Sequence, residues 1–134
     1  MEENFKLEII SPEAIIFSNN AQMVKIPSYE GDMSILKNHI SIITFLRPGL
    51  IKVNKEDGSS EDFFIQDGIV EFSNNNLVLL SASAINLKNL TREFLEELKK
   101  ETEKNLAESN VNDQDRYILN HKMDILKEIN VNIN

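Results

Sequence analysis

The residues able to do chemistry are few and scattered. The two histidines, His39 and His121, lie far apart and neither belongs to a His-Glu-x-x-His pair, so a zinc hydrolase has no ligand set here. The chain has no cysteine, which removes thiolate nucleophiles, disulfides and cysteine-ligated zinc. Its four glycines make neither a dinucleotide fingerprint nor a phosphate loop, and no Gly-x-Ser-x-Gly elbow occurs. The 22 acidic residues fall in turns and on helix-patterned stretches, where solvation accounts for them. No nucleophile, base and oxyanion donor can be grouped from this inventory. The expectation is a non-enzyme with no catalytic residue, cofactor or metal.

Composition narrows the partners. A chain of 134 residues holds one ordinary domain, or a small domain with an appendage. Hydrophobic residues make up 41% of it, enough for a core. The formal net charge of −8 argues against nucleic acid and against an anionic membrane surface, both of which need clustered Lys and Arg. No apolar run reaches the ~18 residues of a membrane span. The start, Met1-Glu2-Glu3-Asn4, lacks the basic and apolar regions of a secretory signal and the arginines of a transit peptide. A soluble chain that works where it is made is expected.

One stretch organises the rest: Val24 to Gly49. Pro27 ends an extended run, Gly31 sits in the turn Ser28-Tyr29-Glu30-Gly31-Asp32, and Pro48-Gly49 closes the piece. Between them Ile35, Leu36, Ile40, Ile42, Ile43, Phe45 and Leu46 are rich in β-branched types, which predicts strands and the start of a compact β core. Upstream, Phe5, Leu7 and Ile9 alternate with Lys6 and Glu8, a half-buried strand. Ala14 to Phe17 reads as a second strand ended by Ser18-Asn19-Asn20, and Met23 to Ile26 as a third. Downstream, Asp57-Gly58 predicts a hairpin turn between Leu50–Asn54 and Asp62–Gln66. Ile69 to Phe72 and Leu77 to Ser81 complete the set. Short strands at this spacing make a β-sandwich or barrel.

From Leu87 onward there is no Gly or Pro, and apolar residues recur at threes and fours. Thr91 is placed to cap a helix running to about Glu108, with Phe94, Leu95, Leu98 and Leu106 as its stripe and Glu96–Lys100 and Lys99–Glu103 as surface pairs. A second helix is expected from Asp113 to Ile129. Both stripes are narrow, so the helices should pack as an antiparallel hairpin. The predicted division is 1–86 for the sandwich and 87–134 for the hairpin. The acidic excess belongs to the first part: 6 basic and 12 acidic residues over 1–85, against 8 and 10 over 86–134.

Val24-Lys25-Ile26-Pro27, Glu30-Gly31, Ile35-Leu36, His39, and Leu46-Arg47-Pro48-Gly49 together resemble the signature of the ε subunit of F-type ATP synthase. Phe63-Phe64-Ile65-Gln66-Asp67-Gly68-Ile69-Val70-Glu71, then Asn76-Leu77-Val78-Leu79-Leu80 and a helical tail, follow in the family's order. The resemblance covers nearly the whole chain. It implies a flattened ten-stranded sandwich followed by a two-helix hairpin. The role it implies is a non-catalytic rotor subunit that binds γ and the membrane c-ring and couples proton flow to ATP synthesis. Glu30, Gly31 and Asp32 would then meet the c-ring and His39 a partner subunit. Read without the family, the first three are a solvated turn, and His39 is a strand-start histidine bonded to a nearby carbonyl.

Some members bind ATP through an Ile/Leu-Asp-x-x-Arg-Ala motif, but here Thr91 stands at the Asp and Phe94 at the Arg. Losing the guanidinium removes the phosphate partner, and ATP sensing by that route is not expected. Where the hairpin inhibits hydrolysis in the family, basic residues of its second helix meet acidic loops of the catalytic β subunits. Here Arg116, Lys122 and Lys127, with His121, face Asp113, Asp115, Asp124 and Glu128, and the end from Asn130 to Asn134 is neutral apart from its carboxylate; only weak inhibition is expected. The resemblance implies the cytoplasmic face of a bacterial inner membrane, or the stromal face of the thylakoid. The alternatives are a free-standing β-sandwich binding module that dimerises through its helices, and a small sandwich enzyme for a sugar or nucleotide.

Overall fold

The computed structural model describes residues 3–132, so Ile133 and Asn134 of the neutral tail lie outside it. The chain divides into two compact units, Met1–Leu87 and Lys88–Asn134. The first holds nine strands: β1 (Phe5–Ile10), β2 (Ile15–Ser28), β3 (Gly31–Leu36), β4 (Ile42–Leu46), β5 (Gly49–Lys55), β6 (Ser60–Ile65), β7 (Gly68–Ser73), β8 (Asn76–Leu80) and β9 (Ile85–Asn86). They form a sheet in the order β1-β8-β7-β4-β2-β5-β6-β9, with β3 added on β2 and β1 also paired to β2. That extra pairing folds the sheet over its own core, giving the sandwich.

β2 makes this closure possible. Its first half runs antiparallel to β1, from Ile15 opposite Ile10 to Ala21 opposite Phe5. Its second half pairs with β3, from Met23 opposite Leu36 to Ser28 opposite Gly31. The register against β5 slips between Ala21 and Met23, an irregularity that bends a strand and lets it serve two layers. Ser18, Asn19 and Asn20 are therefore not the turn their types suggest. They pair with Glu8, Leu7 and Lys6, because ladder bonds to β1 outweigh local turn preference. The strands expected at Ala14–Phe17 and Met23–Ile26 fuse into one and the short β9 is added, so the described residues hold nine strands where the resemblance implied ten.

Alternation fills the core. Leu7 and Ile9 of β1, Val24 and Ile26 of β2, and Leu77 and Leu79 of β8 are fully buried. Phe5 meets Phe72 edge to face at 5.6 Å, and Phe17 meets Phe63 at 5.3 Å, contacts that add to area burial. The β5–β6 hairpin turns at Gly58, whose φ of +88° suits glycine, and Asp57 beside it is held below the ordinary carboxylate range, chiefly by the Ser59 hydroxyl. Gly49 answers a different need: a Cβ there would sit 2.6 Å from Pro27 Cβ.

The second unit holds α1 (Arg92–Ala107) and α2 (Asp113–Asn132), which pack on one another. Thr91 caps α1, its Oγ1 accepting from the Phe94 N–H at 3.1 Å. Asn112 caps α2 through the Asp115 N–H at 2.8 Å. Leu95, Leu98, Met123, Leu126 and Ile129 are buried, whereas Phe94, expected in the stripe, is 40% exposed. On the surface Glu96 pairs with Lys99 at 3.8 Å, three residues apart rather than the four expected. α2 runs three residues past the expected end at Ile129. Gly49→Ala should destabilise the sandwich by about 1–3 kcal/mol through overpacking against Pro27, read by urea unfolding of the full chain.

Candidate functional site

β4 is apolar at nearly every position, yet a strand sends alternate residues to opposite faces. Ile42 and Leu46 point inward to the core. Ile43 and Phe45 point outward and are 67% and 63% exposed. The sequence pattern, read as core throughout, does not distinguish these two sets.

Register shows what surrounds them. Phe45 lies opposite Ile69 of β7, Ile69 opposite Leu80 of β8, and Leu80 beside Ile10 of β1. One apolar row thus crosses four strands. The next outward row runs Ile43, Glu71, Val78, Glu8, apolar and acidic by turns. Tyr29 and Pro12 join the first row around an open groove of about 640 Å³. Tyr29 is fixed there by its N–H to the Phe45 carbonyl at 3.1 Å. Leu36 and Ile40, two further apolar residues of the organising stretch, are also exposed, at 50% and 76%, whereas Ile35 is buried. Scattered exposed apolar residues are ordinary, but a contiguous row marks an interaction surface.

The polar candidates lie in the β2–β3 turn and in the loop between β3 and β4. Glu30 is exposed at the β2–β3 turn, its N–H bonded to Ser28 Oγ at 3.2 Å. Gly31 adopts φ +129° there, which a side chain would strain. Asp32 is tied back, 3.3 Å from Arg47 and 3.8 Å from Lys25, so it fastens the turn to the strand end carrying Pro48-Gly49. His39 is half-buried, its Nδ1 2.7 Å from the Ile40 carbonyl and its ring edge-on to Phe72 at 5.9 Å. Among the described residues no group of three or more His, Cys, Asp or Glu could hold a metal.

In the helical unit, Arg116 is exposed and donates to the Leu106 carbonyl at 3.4 Å. Lys127 is exposed and Lys122 is buried. His121 stacks edge-on with Tyr117 at 4.4 Å. Thr91 spends its hydroxyl on the helix cap, and Phe94, at the position of the motif arginine, offers no phosphate partner.

The organising stretch therefore yields two populations: core residues that hold the sandwich and outward ones that do not. Phe45→Ser should change unfolding stability by less than about 1 kcal/mol, the worth of its cross-strand contact. Leu46→Ala, its buried neighbour, should cost about 2–5 kcal/mol. Equal losses in urea unfolding would show that Phe45 is a core residue after all.

Comparison with known proteins agrees with this architecture. A family model described as the β-sandwich domain of the ATP synthase delta/epsilon chain matches residues 4–87. The ATP synthase epsilon chain of Pelagibacter ubique is 43% identical over 131 residues, covering 97% of this chain and all of that one. The epsilon chain of Parvibaculum lavamentivorans is 33% identical over 129 residues, covering 96% and 97%. Among solved structures, a chain of the Euglena gracilis mitochondrial ATP synthase superposes with a TM-score of 0.73 at 17% identity, covering 98% of this chain and 82% of that one. A chain of the Tetrahymena thermophila mitochondrial ATP synthase, central stalk and c-ring, gives 0.60 at 13% identity, covering 92% and 93%. At those identities the structures speak for the fold alone.

Proposed function

The chain belongs to the ε-chain family of ATP synthase, and from that premise we propose that it binds the γ subunit and the c-ring and turns with them, so that proton flow stays coupled to ATP synthesis. Its relatives are a non-catalytic subunit of the synthase, and this chain acts by docking. No helix among the described residues is long and apolar enough to cross a membrane, so attachment to the membrane sector runs through its partners, on the cytoplasmic face of a bacterial membrane.

The observation that carries this reading is the outward apolar row Phe45–Ile69–Leu80–Ile10. Covering a side chain of this size is worth about 1.5–3 kcal/mol, and a few such anchors offset the cost of association. We assign γ to this face. Glu71 and Glu8 in the adjoining row favour basic residues at the matching positions of γ. The Glu30-Gly31-Asp32 turn is assigned to the polar loops of the c-ring, with exposed Glu30 making the contact and Asp32 holding the turn's shape through Arg47.

The hairpin contributes little inhibition in this reading. Of the three basic residues on α2, Lys122 is buried and Arg116 reaches a carbonyl of α1. Four acidic residues share the helix.

Two outcomes test the proposal. Full-length chain carrying Phe45→Asp, added back to synthase stripped of this subunit, should bind at least about thirtyfold more weakly, because a charge enters an apolar contact. Glu30→Gln should cost less than about tenfold, as expected at an interface rim. Wild-type affinity for Phe45→Asp overturns the assignment of γ to this face. For the hairpin, truncation after Asn112 should raise ATP hydrolysis by less than about twofold, below ~0.5 kcal/mol in barrier. A several-fold rise contradicts weak inhibition.

A further inference from the structure

We propose that Asn38 and Asn75 form a clamp that holds Ile40 in position for the partner covering the Phe45 face; the inference rests on the docking role proposed above. Asn74 and Asn75, at φ +50° and +58°, fill the two-residue turn between β7 and β8. That turn needs positive φ at both positions, and asparagine tolerates it. The Asn75 amide, however, does not serve its own turn. Its Oδ1 accepts the Asn38 N–H at 2.7 Å and its Nδ2 donates to Asn38 Oδ1 at 3.1 Å. Asn38 is itself left-handed, at φ +68°.

The loop between β3 and β4 is then fixed link by link. The His39 N–H donates to the Leu36 carbonyl at 3.1 Å. His39 Nδ1 lies 2.7 Å from the Ile40 carbonyl; a carbonyl only accepts, so Nδ1 carries the proton. The His39 ring rests edge-on against buried Phe72. What this ordering holds out is Ile40, 76% exposed, two residues before the strand that carries Ile43 and Phe45. An apolar side chain kept in water on a pinned loop gains nothing for the free chain. It gains on association, because the ordering cost has been met during folding. Asn38 and Asn75 are positioning residues, acting through Ile40.

The test is a double-mutant cycle on the full chain, read as affinity for synthase stripped of this subunit. Asn75→Gly keeps the left-handed turn and deletes the clamp; it should weaken binding about fivefold. Ile40→Ala should weaken it by a similar factor. In the double variant the clamp has nothing left to present, so the loss should stay within about twofold of Ile40→Ala alone. Fully multiplying losses, or wild-type affinity for Asn75→Gly, overturn the clamp. Phe45→Asp runs alongside: wild-type affinity there overturns the docking reading itself. If Asn75→Gly lowers the melting temperature enough to obscure binding, Asn38→Gly takes its place. It keeps the backbone conformation and loses only the Nδ2–Oδ1 half of the clamp, with a smaller loss expected in the same direction and no loss counting against it.

Discussion

β2 pairs along its length with β1, β3, β4 and β5, and the rest of the sandwich is arranged by that sharing. A strand of fourteen residues is too long for one layer of so small a sheet. It bends where its register against β5 slips, and its two halves serve different neighbours. β1 closes on the first half, β3 on the second, and β4 touches only its end, at Ser28 opposite Leu46. β4 is thereby committed to β7, and β7 to β8. The outward residues of these strands thereby line up in rows across the sheet, with Ile43, Phe45 and Leu80 exposed.

That commitment turns an ordinary feature of the pleat into an exposed apolar row, the surface we propose γ covers. Thr44 and Leu46 face in, and Ser28 with Thr44 makes the hydroxyl contact of 3.3 Å at that junction. Ile43 and Phe45 have nowhere to go but out. Exposed β-branched and aromatic residues on a sheet are an aggregation hazard unless charge interrupts them or a partner covers them. Glu8 and Glu71 interrupt the second row, and the acidic excess of the sandwich keeps like copies apart. The first row is uninterrupted. In the reading developed above, the stalk subunit covers it.

Much of this was legible in the sequence where local rules decide. Gly58 at a hairpin, Gly31 at a turn and Thr91 at a helix start follow from what those residues do to their own backbone. The family signature around Glu30, His39 and Pro48-Gly49 was readable for the same reason, since it is a string of turn and strand residues in order. Two things were not legible. Ser18-Asn19-Asn20 has turn chemistry, and only pairing with β1 makes it strand. Ile43 and Phe45 have core chemistry, and only the pairing of β4 with β7 turns them outward. Both failures have one cause: a local pattern fixes which residues alternate, but pairing decides which side is inside.

The lack of any cysteine makes cover over the apolar row directly measurable. A single cysteine placed at Leu80, in the middle of the apolar row, reports solvent access through its rate of thiol labelling. The same substitution at Glu56, exposed on the β5–β6 turn, serves as the reference. Docking through the apolar row requires fast labelling of Leu80→Cys in the free chain and at least about tenfold slower labelling once the chain is assembled into synthase, as burial in an interface core does. Glu56→Cys should label at the same rate in both. Equal labelling of Leu80→Cys, free and assembled, would leave the apolar row without a partner and overturn docking through it.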